Sequence, residues 1–296
     1  MTLCIAWIKE REIFLVSDSR LSNNGGIVTD EASKIFKIDV KIFGPNPEGR
    51  TVQTPLIHQT TFGMCFCGSY LNGSTIADTF EEVLSNIQAS AQVSDFSLEA
   101  LIKIAFSIYK QVSTQLIAIH RNFGISTVLI GGYCPVTAEF GLYEFKAEQP
   151  AGEIQLNFAM NPIDFEKANP YYIGDSRAID AAQALSGNID DTFTHFHIIR
   201  TIIQDGQYNT VGGNIQAAKF YPHTFETYGI AQYSIEQEPM GPQIKDTYTF
   251  RGFSLDLEEE SIIEANLLVK KKMFNPFQHE RDEMFRDIMQ NHWGEQ

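Results

Sequence analysis

Basic residues are scarce in this chain. Twenty-two Lys and Arg stand against thirty-seven Asp and Glu, for a formal net charge of −15. That balance argues against a basic face for nucleic acid or an anionic membrane, so neither is expected as a partner. The sequence also lacks any run of 18 apolar residues, so no transmembrane helix is expected. Its first residues, Met-Thr-Leu-Cys-Ile-Ala-Trp-Ile, have no leading positive charge and run straight into Lys9-Glu10-Arg11-Glu12. A signal peptide reads differently, and this stretch is expected to be a strand. Cysteine is sparse: Cys4, Cys65, Cys67 and Cys134 show neither disulfide nor zinc spacing, and each stands in an apolar run. Buried free thiols in a reducing cytoplasm are the expectation. His195 and His197 have strand spacing in a helical context with no third ligand nearby, so no metal is expected. The glycine pairs Gly25-Gly26, Gly131-Gly132 and Gly212-Gly213 lack the lysine and the spacing of a phosphate loop, and no cofactor is expected. No internal repeat or low-complexity tract is present.

What is there suits a folded α/β chain. An apolar fraction of 43% over 296 residues is enough for a large core. Thr2–Ile8 and Ile13–Asp18 read as a hairpin, Lys34–Ile38 as a third strand and Thr60–Cys67 as a fourth. The polar stretch 44–50 lengthens the connection between the last two. Two helices are expected next, over about Ser74–Ser90 and from Ser97 to Gly124. Ser97 can cap the second, and Glu99 suits its first turn. Leu98, Leu101, Ile102, Ala105, Ile108, Val112 and Leu116 fall on one face at helical period. Strands follow at Ile125–Gly131, Phe140–Phe145, Ile154–Met160 and Tyr171–Gly174. Helices near Ser176–Leu185 and Asp190–Gln204 and a strand at Asn214–Phe220 complete the plan. From about Leu257 the composition turns charged and helical. Phe277, Met284, Phe285, Ile288, Met289 and Trp293 form a stripe that fits either core packing or a subunit contact. The division expected is a main domain over 1–256 and a C-terminal helical extension over 257–296.

The chemistry points to the N-terminus. Thr2 has a side chain small enough for methionine removal, which would leave a free α-amine and a hydroxyl on one residue. Such a pair is a nucleophile with its own base. An α-amine has a reference pKa of about 7.7–8.0, and a neighbouring ammonium lowers it. Lys34 can supply that ammonium, held by Asp18.

Three stretches carry a family resemblance: Thr2-Leu-Cys-Ile-Ala, Leu15-Val-Ser-Asp18-Ser-Arg20 and Ala32-Ser-Lys34-Ile-Phe-Lys-Ile38. Together they resemble the start of a proteasome β-type subunit, an N-terminal-nucleophile hydrolase. The simple bacterial members, such as the ancestral-proteasome group called Anbu, are the nearest in pattern. The resemblance implies an α+β fold, the four-layer αββα sandwich of that superfamily. It implies Thr2 as nucleophile, Lys34 as the cation tuning its amine, Asp18 as the partner of that cation, and Arg20 as a structural member of the cluster. Cys67-Gly68-Ser69-Tyr70-Leu71 matches the family's oxyanion turn, with Tyr70 at the place of its second glycine. Backbone N–H groups of Gly68, Ser69 and Tyr70 are thus the implied oxyanion donors. Ile173-Gly174-Asp175-Ser176-Arg177 matches a Gly-Ser-Gly turn whose serine contacts the nucleophile, so Asp175 or Ser176 takes that place. In Tyr208-Asn-Thr-Val211-Gly212-Gly213 the family's glycine pair is kept, and its acid and hydroxyl are replaced by Tyr208 and Val211. Leu21, Ala32 and Phe36 are the implied pocket residues.

The function so implied is hydrolysis of a peptide or amide by Thr2, in a cytoplasmic homo-oligomer built as a ring or a spiral. An ATPase partner is compatible with the resemblance, and no residue of the chain identifies one. Two alternatives stay open: a catalytically silent scaffold of the same fold, and an amidase acting on small amides.

Overall fold

The computed structural model describes residues 2–23, 26–46, 54–90, 95–148, 156–187, 193–239, 241–255 and 273–293. The chain begins with strands β1 (Leu3–Lys9), β2 (Glu12–Ser17), β3 (Leu21–Asn23), β4 (Gly26–Thr29), β5 (Ile35–Phe43) and β6 (Leu56–Gly68). Helix α1 (Tyr70–Leu84), β7 (Ile87–Gln88) and helix α2 (Leu98–His120) follow. Next come β8 (Ser126–Cys134), β9 (Glu139–Glu148), β10 (Asn157–Pro162), β11 (Tyr171–Gly174), α3 (Ser176–Ser186) and α4 (Thr194–Asp205). The last part holds β12 (Gln216–Tyr221), β13 (Thr224–Glu238), β14 (Gly241–Phe250), β15 (Phe253–Ser254), β16 (Met273–Phe274) and α5 (Gln278–Trp293).

The strands form two large sheets. One runs β11-β1-β2-β12-β13-β14-β15 with β16 alongside β13, and the other runs β10-β9-β8-β6-β5-β7. Strand alternation explains why β1 is apolar along its length. Leu3 and Ile5 point to one face and join Ala178, Ala182, Phe196, Ile199 and Ile202 of α3 and α4. Cys4 and Ala6 point to the other face and meet Ile35, Cys65, Leu129 and Leu142 of the second sheet. The far face of that second sheet, with Phe62, Met64, Val128 and Phe145, is covered by Ile76 and Phe80 of α1 and Leu101, Ala105 and Tyr109 of α2. Among the described residues no helix is long and apolar enough to cross a membrane.

The structure corrects several sequence expectations. Helix α1 starts at Tyr70, four residues earlier than Ser74, because Ser69 caps it by accepting from the Asn72 amide. It ends at Leu84, since the chain then enters β7. Ser97 caps α2 as expected, through the Ala100 amide. Its buried face, however, drifts from Ile108, Val112 and Leu116 to Tyr109, Ser113 and Ile117. Polar satisfaction decides this: the Tyr109 hydroxyl donates to the Ser126 carbonyl at 2.7 Å, and Asn72 Nδ2 donates to Ser113 Oγ at 3.2 Å. Helix α4 starts at Thr194, and residues 190–192 of the expected Asp190–Gln204 helix lie outside the described residues. The ribbon β3–β4 and the long hairpin β13–β14 were not expected at all. The face of β14 is mostly half-buried, which blurs the two-residue period. Residues 257–272 of the expected extension lie outside the described residues. Of the C-terminal stripe, Phe277 is core, while Phe285 and Met289 are exposed.

Candidate active site

Thr2 lies at the mouth of the two sheets, one residue before β1, and is buried. Its carbonyl accepts from the Asp175 amide at 2.8 Å. Gly174 pairs with Leu3 and has a φ of +137°, and a Cβ there would overlap the Thr2 carbonyl oxygen. Only glycine lets β11 approach the N-terminus so closely. The β1–β2 hairpin then returns Asp18 to the same place, where the Leu3 amide donates to Asp18 Oδ1 at 3.0 Å.

Asp18 is the centre of a closed polar cluster. Both its oxygens lie 3.0 Å from Lys34 Nζ, and both side chains are buried. The amides of Arg20 and Gly212 each donate to Asp18 Oδ2 at 3.1 Å. The carboxylate thus accepts from one ammonium and three backbone amides, and that satisfaction is what permits a buried charge pair. Lys34 is held from behind by Gln216: the Lys34 amide donates to Gln216 Oε1 at 2.9 Å. Gln216 Nε2 donates to the carbonyls of Asp18 and Ala32 at 3.0 and 2.9 Å. Arg20 faces away from Lys34 and grips Asp30 through Nε and Nη2, at 2.7 and 3.0 Å.

Between the two residues offered for the next turn, Asp175 is the one against Thr2, and Ser176 is exposed. Asp175 caps α3 through the Arg177 amide at 3.0 Å, and its second oxygen accepts from Thr210 Oγ1 at 2.7 Å. Thr210 was missed in the sequence because the hydroxyl was sought at Val211, one residue on. Val211 is instead fully buried beneath α3 and α4. Replacing Thr210 by Val should destabilise the protein by about 1–3 kcal/mol, since the buried Asp175 carboxylate would lose a half-buried donor. Urea unfolding measures this, and a loss below about 0.5 kcal/mol would show that water replaces the hydroxyl without cost.

Gly68 ends β6, is exposed and has a φ of +97°. The Ser69 amide already donates to the Ile125 carbonyl at 2.8 Å. Of the three implied oxyanion donors, Gly68 and Tyr70 therefore remain, Tyr70 opening α1 where amides have no intrahelical acceptor. Ala32 is buried beside this cluster, and Leu21 is half-exposed at the start of β3. Phe36 stacks on Phe66 at 5.9 Å, and Phe66 contacts Tyr70 at the same distance. Phe66 was missed because an aromatic inside an apolar strand reads as plain core.

The other reactive groups are poorly placed for chemistry. All four cysteines are free and buried. A hydrogen bond with Cys4, and then burial, push the Cys65 thiol well up, and burial pushes Cys67 up to about 12. Both stay neutral and inert. His195 is pressed against Trp7 and brought down to about 4 by burial, whereas His197 turns toward Arg200 and Glu280. Among the described residues no cluster of three or more His, Cys, Asp or Glu is arranged to hold a metal ion.

Comparison with known proteins gives little at the level of sequence: no family model matches, and no curated protein matches. Among solved structures the chain is similar to Anbu (ancestral beta-subunit) from Yersinia bercovieri, at 16% identity and a TM-score of 0.49. That match covers 75% of this chain and 82% of the other.

Proposed function

We propose that the protein is an N-terminal-threonine hydrolase of peptides or amides, and that its two sheets with their outer helix pairs are the αββα sandwich of that superfamily. The observation that carries this reading is the buried Asp18–Lys34 pair fastened to the Leu3 amide, next to Thr2. A buried ammonium beside a chain terminus has an evident use if that terminus is a base, because it keeps the amine unprotonated.

In this reading Met1 is removed and Thr2 Oγ1 attacks the substrate carbonyl carbon. The Oγ1 proton passes to the α-amine through a water. The tetrahedral oxyanion is held by the N–H groups of Gly68 and Tyr70. The C–N bond then breaks, the leaving amine takes the proton, and an ester remains on Thr2. Water attacks that ester and releases the acid, with the same amine acting as base. Asp175 fixes the position of Thr2 through its own amide, which donates to the Thr2 carbonyl. Assembly into a closed ring or an open spiral belongs to the same proposal, with the exposed Phe285 and Met289 of α5 as part of the contact.

Intact mass of the purified native protein is the test. A mass short of one methionine is expected. If Met1 is retained in a host that trims such termini, the Thr2 nitrogen is an amide with no useful basicity. The hydrolase reading then falls, and the scaffold reading replaces it.

A further inference from the structure

The turn between β14 and β15 brings a residue to the site that the N-terminal motifs do not foretell. Gly252 packs directly on the cluster: a Cβ there would stand 2.6 Å from Ser19 Cβ and 3.3 Å from the Ala32 carbonyl. Asn214 Nδ2 donates to the Gly252 carbonyl at 2.8 Å and fixes the turn. From this anchor the preceding residue, Arg251, reaches over Phe36, with its guanidinium carbon 5.4 Å from the ring centroid. Its Nη2 donates to the Ile35 carbonyl at 3.4 Å. Among the described residues its buried Nε has no hydrogen-bond partner.

The other buried or half-buried arginines differ. Arg20 holds Asp30, Arg200 holds Glu280 and Arg281 holds Asp246. Acidic side chains are plentiful in this chain, yet among the described residues none is paired with Arg251. Burial pushes the guanidinium below its usual range, and the nearby Tyr70 phenol acts the other way. A half-buried cation with a free donor and no counter-ion is costly unless something else supplies the anion. It sits against Phe36, two residues after Lys34, and close enough to Tyr70 to feel its phenol.

We propose that Arg251 sets substrate specificity by binding a carboxylate side chain, Asp or Glu, on the residue whose carbonyl Thr2 attacks. This rests on the hydrolase reading. Phe36 and Tyr70 would flank the aliphatic part of that side chain, and the guanidinium fork would take its carboxylate.

The test compares two acyl-peptide amides that differ only in Glu or Gln at that residue. The protein should hydrolyse the Glu peptide with a kcat/KM about 10–100-fold higher, expressed mainly in KM. R251Q should abolish the discrimination by bringing the Glu peptide's kcat/KM down to that of the Gln peptide, and R251K should keep part of it. Thermal melts of both variants check that the turn still folds. Equal rates for the two peptides, or discrimination that survives in R251Q, would overturn the proposal while leaving the hydrolase reading intact. If protein with a free Thr2 amine cleaves neither peptide, the hydrolase reading fails instead. Ligand-observed NMR with N-acetylglutamic acid α-amide and N-acetylglutamine α-amide then decides the anion site. Selective binding of the acid, lost in R251Q, supports it, and equal or absent binding overturns it.

Discussion

Replacing Thr2 by Ala should lower peptide or amide hydrolysis by about a thousandfold or more while leaving the protein folded. Alanine keeps the backbone that the Asp175 amide and the Leu3 pairing depend on. It also keeps the α-amine after Met1 removal. What it removes is Oγ1, the attacking atom, and neither the neighbouring thiols nor the Ser17 hydroxyl can stand in for it. Cys65 and Cys67 are buried thiols with raised pKa values, and Ser17 Oγ is tied to Cys4 and to the Asp18 carbonyl. The change in stability should stay near about 1 kcal/mol, as for a small side chain trimmed at the edge of a strand. Thr2→Ser, which keeps the hydroxyl, should retain a measurable fraction of the rate. Steady-state kinetics on all three proteins checks the ordering. Turnover by the Ala variant close to that of the parent would remove Thr2 from the mechanism.

Asp18→Ala should be the most damaging single change to stability, at about 3–5 kcal/mol, because it strands the Lys34 ammonium in the interior. It also frees three buried amides, those of Leu3, Arg20 and Gly212, from their acceptor. The pair can be separated from its surroundings by a second substitution. In the double variant Asp18→Ala with Lys34→Met, the stranded charge is gone, and roughly half of the lost stability should return. Activity should not return with it, since both the cation and its anchor are missing. Urea unfolding of the single and double variants measures the coupling. Additive effects of the two changes would mean that Lys34 and Asp18 do not depend on each other in the folded protein.

The N-terminal third of the site was legible from residue order. Thr2 and Asp18 flank the β1–β2 hairpin, and Lys34 stands just before β5 after the short ribbon β3–β4, so all three lie close together in the sequence. Several strands were legible for the same local reason, with Tyr171–Gly174 placed to the residue and β1 and β2 to within one. The helix starting at Ser97 announced itself by its cap.

The supporting side chains were not legible, because they come from far along the chain and look ordinary where they stand. Gln216 is a single amide in the apolar strand β12, and only the sheet places it behind Lys34, 182 residues away in sequence. The Gly212 amide reaches Asp18 across 194 residues. Thr210 was hidden by a one-residue change of register, and Arg251 by a hairpin whose half-buried faces gave no clear period.

The sequence by itself therefore determined the nucleophile candidate, its cation and the local strands, since these follow from spacing and side-chain chemistry over short distances. The tertiary structure alone decided which polar groups close the cluster, that Ser69 has its amide committed elsewhere, and that Arg251 stands without an anion among the described residues. Those facts depend on contacts between elements far apart in the chain, where hydrogen-bond satisfaction and close packing choose partners that residue order does not encode.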